Sequence, residues 1–314
     1  MSNEFLPPSL PLSSYSDQIK LTEKYIPNTD QISSKKERDE LVDSLLDILS
    51  TEENLYDHNQ IPDDYHGKRT LLRALLNIRP PSRLNKIFTD KIDRLLQDEL
   101  GKKVIQKDSN LSSVAEMYPD SRLKHSKNLF LWKGDISRLD ADAIVNAAND
   151  GMLGCFHPLH NCIDNVIHSA AGPLLREDCK TIMDIQGARE GTGDAKITRA
   201  YNLPSRYVLH TVGPIITEKK ISEFQKEQLS SCYKSCLSLA ARLKDIKSIA
   251  FPCISTGVFN FPQEPAAEIA VRTVDEWLES NSHCFTHIIF NVFLEEDLSC
   301  YARVFRGKHN CDYC

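Results

Sequence analysis

Apolar residues in the first third of the chain recur at helical spacing. One stripe of leucines runs from Leu41 to Leu49, a second from Leu71 to Leu76, and a third apolar stripe from Leu84 to Leu96. Pro80 and Pro81 separate the second stripe from the third, because proline interrupts a helix. The pattern predicts three amphipathic helices, and stripes this wide need a partner surface.

Polar segments flank this helical region. Residues 1–35 are rich in Ser, Pro and Asn and predict an extended arm. A polar connector follows the third helix, around Gln106 to Asp120. We therefore expect a helical N-terminal extension over residues 36–122, packed on a core domain over residues 123–308, with a short tail over residues 309–314.

From Asn128 onward, short apolar runs alternate with amphipathic stretches. The candidate strands are Leu129–Trp132, Ala143–Asn146, Tyr207–Thr211, Ser248–Pro252 and Ile288–Val292. The candidate helices are Ile163–Ala170, Leu174–Met183, Gln225–Leu243, Pro265–Ser280 and Asp297–Phe305. This alternation is typical of a mostly parallel sheet covered on both faces. The sequence thus predicts an α/β fold: a three-layer α/β/α domain preceded by the helical extension.

Composition narrows the class of protein. With 314 residues, 41% hydrophobic and 26% charged, the chain reads as an ordinary globular protein. A net charge of −6 argues against nucleic acid or an anionic membrane as a general partner, and no apolar run approaches the length of a membrane span. Because no secretory signal is evident, we expect a cytoplasmic or nuclear monomer whose ten cysteines are reduced.

Three loops at predicted strand ends have residue types suited to a nucleotide. They are Gly134-Asp135-Ile136, Asn146 to Gly154, and Ile254 to Pro262, which contains Ser255-Thr256-Gly257. Backbone N–H groups of the last loop can bind a diphosphate, and an aspartate in the first can accept from the exocyclic amine of a base. Ordinary turn chemistry also explains each loop taken alone. The chain lacks both the dinucleotide and the Walker fingerprints, which argues against hydride transfer and kinase chemistry.

Cys155, His160 and Cys162 offer a second kind of chemistry at the same place in the chain. Zinc prefers thiolate and imidazole ligands, and catalytic zinc sites use three protein ligands with a fourth position open. No second Cys-x-x-Cys pair lies nearby to close a four-ligand site, so the pattern favours an open one. The alternative is two packed cysteines and a surface histidine, without a metal.

Neighbouring polar residues have two interpretations each. His157 is another candidate ligand, but either His157 or His160 must point away in so short a loop. His168 lies among apolar residues of a helix, where packing or hydrogen bonding is favoured over ligation. Asp164 stands at the start of that helix, where the helix dipole stabilises a carboxylate whether or not it takes part in chemistry.

Several segments match one protein family in continuous order. They are Gly134-Asp135-Ile136, Asn146-Ala-Ala-Asn149, Ile163-Asp164, Ile167-His168, Ala170-Ala-Gly-Pro173, Gly193-Asp194-Ala-Lys-Ile-Thr198, Tyr201-Asn-Leu-Pro204, Tyr207-Val-Leu-His-Thr-Val-Gly-Pro214 and Ser255-Thr-Gly-Val-Phe259. With them the chain resembles a macrodomain, the ADP-ribose-binding α/β/α module. Ordinary hydrolytic macrodomains have a glycine-rich segment where this chain has Gly154 to Cys162. That substitution and the helical extension resemble the zinc-dependent branch, whose members remove ADP-ribose from proteins.

The resemblance implies a role for each matching residue. Asp135 would bind the adenine, with Ile136 as its backbone neighbour. Asn146 and Asn149 would face the distal ribose, and Asp164 would be the acidic group beside it. The loop Ser255, Thr256, Gly257, Val258 and Phe259 would bind the diphosphate, with Phe259 packed against the distal ribose. Cys155, His160 and Cys162 would bind zinc.

The implied activity is zinc-dependent hydrolysis that removes mono-ADP-ribose from modified proteins and releases ADP-ribose. Asn149 and Asp164 would be the catalytic residues. Two alternatives remain at this point: a module that binds ADP-ribosylated proteins without turnover, and a hydrolase of small derivatives such as O-acetyl-ADP-ribose or ADP-ribose phosphate.

Overall fold

A computed structural model describes residues 9–52, 61–218 and 220–307. Its strands are β1 (Gln106–Lys107), β2 (Leu129–Lys133), β3 (Leu139–Asp140), β4 (Ala143–Ala148), β5 (Ala195–Arg199), β6 (Tyr207–Val212), β7 (Ser248–Phe251) and β8 (His287–Val292). Its α-helices are α1 (Lys35–Ser50), α2 (Tyr65–Ile78), α3 (Lys86–Gly101), α4 (Val114–Met117), α5 (Ile163–Ala171), α6 (Pro173–Gln186), α7 (Glu223–Ala240), α8 (Gln263–Ser280) and α9 (Glu295–Phe305). None of the helices in these ranges is long and apolar enough to cross a membrane. The predicted tail over residues 309–314 lies outside them.

Six strands form the central sheet, in the order β2-β8-β7-β4-β6-β5. Neighbouring strands are parallel except β5, which runs antiparallel to β6. The prediction of a mostly parallel sheet is confirmed. Strand β5 was not among the predicted strands, because Lys196 and Thr198 interrupt its apolar run. Both side chains are nevertheless buried, and Lys196 pairs with Glu190 at 2.5 Å.

Alternation along the strands divides the interior into two layers. In β4, Ala143 and Val145 face a large apolar cluster that includes α7, α8 and α9, whereas Ile144 faces a second cluster with α5 and the start of α6. Successive strand residues point to opposite faces of a sheet, so both faces of a sheet covered by helices must be apolar. The three-layer α/β/α prediction is therefore confirmed.

The described part of the predicted arm is packed and contains a 3-10 helix, Leu12–Ser14. Tyr15, Ile19 and Leu21 are buried in the large apolar cluster. The Tyr15 hydroxyl accepts a hydrogen bond of 3.1 Å from the backbone N–H of Ile197, on the outer edge of β5. This segment thus covers one edge of the sheet, and an edge strand left open would expose unpaired backbone groups.

The helical extension has a hydrophobic core of its own. The leucine stripes of α1, α2 and α3 pack mainly on one another, so each helix finds a partner surface in the other two. The contact with the α/β domain includes Ile92 and Leu96, which lie against Gly172, and several hydrogen bonds. Asn202 donates to Asp93 of α3 at 2.7 Å, and Gln97 of the same helix donates to Asn202 at 3.0 Å. The two parts are therefore joined through directional hydrogen bonds.

We predict that Tyr15 anchors the N-terminal segment. Tyr15→Ala should lower the free energy of unfolding by about 3–5 kcal/mol, because it leaves a cavity in the core. Tyr15→Phe should lower it by about 1–3 kcal/mol, because only the acceptor of the buried Ile197 N–H is lost. Urea denaturation measures both, and wild-type stability for Tyr15→Ala would contradict the assignment.

Candidate functional site

The predicted site residues meet at one edge of the sheet. Strands β2, β4, β7 and β8 are parallel, so the loops that follow them lie at the same edge. Asp135 follows β2, Asn149 follows β4, and Ser255 follows β7. The carboxyl edge of an open α/β sheet is where such folds bind ligands.

Asp164 lies at the centre of this edge, in the first turn of α5. Its carboxylate is buried, and each oxygen accepts one amide hydrogen bond. Oδ1 accepts from Asn146 Nδ2 at 2.8 Å, and Oδ2 accepts from Asn149 Nδ2 at 3.2 Å. Burial raises the pKa of Asp164 to about 6, whereas the two amides and the charge of Arg176 oppose that rise. The carboxylate is thus held in a single orientation.

Asn146 lies on β4, beside Asp164. Its side chain is fully buried and holds the carboxylate of Asp164, and its predicted contact with the distal ribose stays a prediction. Its amide nitrogen also lies 3.2 Å from Nδ1 of His210, which must accept because an amide nitrogen only donates. His210 Nε2 then carries the proton and donates to Thr198 Oγ1 at 3.0 Å. Burial lowers the pKa of His210 to about 3, so the ring stays neutral.

His210 was not among the predicted site residues. The available signal was a polar residue in the middle of an apolar strand, β6, where burial without a partner would be unfavourable. Its partners come from β4 and β5, which flank β6 in the sheet. Only the strand order brings Asn146, Thr198 and His210 together.

Cys155, His160 and Cys162 converge on one point at the same edge. Their ligand atoms all lie within 4.8 Å of one another, and Cys155 Sγ is 3.5 Å from His160 Nδ1. Around a tetrahedral zinc ion, thiolate and imidazole ligand atoms lie about 3.5–3.8 Å apart. All three side chains are partly exposed, so solvent or substrate can reach a fourth position. The donor set and its spacing fit an open zinc site.

His157 stands outside this group. Its backbone carbonyl accepts from Asn165 Nδ2 at 3.1 Å, and its ring centroid lies 5.9 Å from that of His160. Of the two histidines in the loop, His160 is therefore the one that joins the cysteines.

A second cluster, of His168, Cys179 and His210, is buried beneath Asp164. His210 Nε2 lies 3.8 Å from Cys179 Sγ and donates its proton to Thr198, so in this hydrogen-bonding arrangement it has no free lone pair for a metal ion. Burial lowers the pKa of His168 well below its usual value and raises that of Cys179 well above. His168 is thus a packed neutral residue, as the sequence predicted.

Asp135 shapes the loop after β2. Its carboxylate accepts from Ser137 N at 3.0 Å and from Ser137 Oγ at 2.7 Å, which caps a short 3-10 helix. Phe293 directly follows β8, the neighbour of β2, and Gly134 N donates to Val292 O at 2.9 Å. Phe293 is 70% exposed beside this loop. An exposed ring and a carboxylate at the ends of two adjacent strands suit a planar base, which can stack on the ring and donate a hydrogen bond to the carboxylate.

Phe293 was missed because it stands one residue beyond a predicted strand, where an aromatic residue has no periodic signal. The structure reveals it, because a large apolar side chain that is mostly exposed at a ligand-binding edge indicates contact with a ligand. Phe293 is therefore added to the candidate site.

The loop after β7 has the backbone features of an anion site. Ser255 adopts a φ of 66°, a conformation that favours glycine, and Gly257 is exposed at the tip. The β6 loop approaches closely, because a Cβ placed on Gly213 would lie 2.0 Å from Ser255 Oγ. Ile216 N donates to Phe259 O at 2.8 Å and ties the two loops together. Successive N–H groups at such a tight turn can bind a diphosphate.

A cavity of about 300 Å³ lies between the helical extension and the α/β domain. It is lined by Arg69 and Arg73 of α2 on one side and by Asp135 and Ser137 on the other. The extension therefore forms a wall next to the candidate base subsite.

Comparison with known proteins agrees with this geometry. A family model described as Macro domain matches residues 145–270. A protein-ADP-ribose hydrolase of Treponema medium is 46% identical over 83% of this chain and 96% of its own length. The protein of the same name from Staphylococcus aureus strain MRSA252 is 42% identical over 83% of this chain and 93% of its own.

Solved structures show the same fold. The Trypanosoma brucei macrodomain in complex with ADP-ribose has a TM-score of 0.55 and 31% identity, and the match covers 71% of this chain and 91% of that one. The Oceanobacillus iheyensis macrodomain with ADP has a TM-score of 0.51 and 36% identity, over 57% of this chain and 90% of that one. The chain belongs to the macrodomain family, which confirms the resemblance drawn from its motifs.

We predict that Gly154 is required at the start of the Cys/His loop. It has a φ of 82°, and a Cβ would lie 2.9 Å from the ring of His168. Gly154→Ala should lower the free energy of unfolding by about 1–3 kcal/mol, because strain and a clash coincide. Gly101→Ala is the matched control, since nothing lies within 4 Å there. Equal stability of the two variants in urea denaturation would contradict the prediction.

Proposed function

We propose that this protein is a zinc-dependent hydrolase that removes mono-ADP-ribose from modified proteins and releases ADP-ribose. The observation that carries the proposal is the position of the Cys155, His160 and Cys162 ligand atoms, which converge at the sheet edge where Asn149 contacts Asp164. The relatives described above, matched over most of their length and named protein-ADP-ribose hydrolase, support the reaction class.

The substrate would lie along the carboxyl edge of the sheet. Asp135 accepts from the exocyclic amine of adenine, the backbone of Ile136 borders the same ring, and Phe293 stacks on it. The Ser255 to Phe259 loop binds the diphosphate with backbone N–H groups. The distal ribose then reaches Asn149 and Asp164, with Phe259 packed against it.

The residues around the distal ribose position the reacting groups. A bound zinc ion would supply a Lewis acid and lower the pKa of a bound water toward neutrality. Cys155, His160 and Cys162 would hold that ion. Asn149 and Asp164 orient the ribose hydroxyls and the attacking water. Contacts to the adenine and the diphosphate hold the bond between the distal ribose and the protein in place relative to Asn149 and Asp164. Binding energy far from the reacting atoms is used mainly for such positioning.

A single-turnover assay on an automodified protein, with and without chelator, tests the proposal. We expect release of ADP-ribose that chelator abolishes and added zinc restores. Tight binding without release would instead indicate a module that only binds ADP-ribosylated proteins. Release from O-acetyl-ADP-ribose or ADP-ribose phosphate, but not from protein, would indicate a hydrolase of small derivatives.

We predict that the purified protein contains about one zinc ion per chain, because three converging soft ligands bind zinc tightly. Cys155→Ala or His160→Ala should lose the metal and most of the activity while the fold survives. Elemental analysis and circular dichroism measure metal and fold. A zinc-free protein that remains active would refute the metal assignment.

We predict a separation of binding from turnover within the site. Asp135→Ala should weaken binding of free ADP-ribose by about 1.5–3 kcal/mol, since it removes a charge-assisted hydrogen bond. Asp164→Asn or Asn149→Ala should reduce turnover far more than this affinity. Calorimetry and the single-turnover assay measure the two effects. Unchanged binding by Asp135→Ala would remove the adenine assignment.

A further inference from the structure

We propose that helix α2 of the N-terminal extension positions the zinc-binding loop, and that Asn77 is the residue through which it does so. The inference rests on the zinc site of the proposed function. The loop from Cys155 to Cys162 has no regular secondary structure, so its shape must come from contacts with its surroundings. Hydrogen bonds from side chains connect it to α2.

Asn77 lies in the last turn of α2 and is 2% exposed. Its Oδ1 accepts from the backbone N–H of Leu159 at 3.0 Å, and its Nδ2 lies 3.1 Å from Ser169 Oγ. Leu159 has a φ of 57°, a conformation that non-glycine residues adopt only when their surroundings impose it. Leu159 immediately precedes the ligand His160. The hydrogen bond that Leu159 donates to Asn77 therefore stabilises the strained turn that presents the imidazole.

Arg73, one turn earlier in α2, acts on the loop through Asn165. Its Nη2 donates to Asn165 Oδ1 at 3.0 Å. The amide nitrogen of Asn165 donates to His157 O at 3.1 Å, and its backbone N–H donates to Cys162 Sγ at 3.4 Å. Asn165 is fully buried, so these bonds form in a dry environment where they are directional. Arg73 is thus connected through Asn165 to Cys162 Sγ, one of the candidate zinc ligands.

Arg176 fixes the start of the same loop against the end of α2. Its Nε donates to Leu153 O at 2.8 Å, two residues before Cys155. Its Nη1 donates to Leu76 O at 2.9 Å and to Arg79 O at 2.6 Å. The guanidinium is buried, and these carbonyls would otherwise lack partners at a helix C-terminus. Hydrogen bonds thus connect both ends of the zinc-binding loop to α2.

A loop held in its ligating shape before the metal arrives loses less conformational entropy on binding. Partners that orient metal ligands commonly change metal affinity by about 10–100-fold. We expect Asn77→Leu, which removes both hydrogen bonds at similar volume, to weaken zinc binding within this range. Asn77→Asp keeps an oxygen that accepts from Leu159 and should restore most of the affinity.

Zinc affinity of the full chain, measured by competition with a chromogenic chelator, provides the test. Leu72→Ala is the matched control, because Leu72 is a fully buried core residue of the same helix. It should lower the melting temperature and leave zinc affinity unchanged. Calorimetry with ADP-ribose should show wild-type affinity for Asn77→Leu. Zinc affinity that falls equally in Asn77→Leu and Leu72→Ala, or in neither, would overturn the proposal.

Hydrogen exchange of the metal-free proteins is the second readout. Amides of residues 153–160 should exchange faster in Asn77→Leu than in the wild type or Leu72→Ala. Unchanged exchange would overturn the positioning role, whatever the metal content. A wild-type protein that binds no zinc would refute the metal assignment of the proposed function, and the exchange result would then decide alone whether α2 positions the loop.

Discussion

The buried carboxylate of Asp164 constrains the rest of the site. A charge out of contact with water needs hydrogen-bond donors, and Asn146 and Asn149 supply one to each oxygen. Both amides come from β4 and its loop, so strand and helix α5 must keep a fixed separation. Asn146 can donate in only one orientation, which neutral His210 sets from the neighbouring strand. The carboxylate thus depends on three strands of the sheet.

The same constraint couples the carboxylate to the zinc-binding loop. Cys162 caps the helix that begins with Ile163 and Asp164, so the last ligand and the acid share one helix start. His168, a turn further along, lies 3.5 Å from Asp164 Oδ1 and packs on Gly154. Moving the loop would therefore displace the carboxylate. Catalysis by positioning requires reacting groups that are held rigidly in this way.

Two segments before the domain contribute to it in different ways. The segment around Tyr15 becomes part of the main hydrophobic core and covers the edge of β5. The three-helix extension keeps its own apolar core and makes directional hydrogen bonds to the domain in addition to apolar contacts at Gly172. Hydrogen bonds depend on orientation as well as on distance. Helix α2 can therefore orient a loop that it does not enclose.

Local sequence determined much of this protein. Buried apolar runs predicted β2, β4, β6, β7 and β8, because fully covered strands must be apolar on both faces. Leucine spacing predicted α1 to α3. Close spacing in the chain identified Cys155, His160 and Cys162 as candidate metal ligands. These features depend on residues near one another in the sequence, so a pattern suffices to find them.

Only the tertiary structure decided the remaining features. The strand β5 was hidden because its buried Lys196 is tolerable only with Glu190 beside it. The contact of Asn146 with His210 joins positions 64 apart, and that of Asn77 with Leu159 joins positions 82 apart. A single polar residue in an apolar stretch does not reveal its hydrogen-bond partner. The order of the strands and the packing of the helices decide which residue becomes that partner. The sequence by itself thus determined the fold class and the candidate ligands, whereas packing decided which groups orient them.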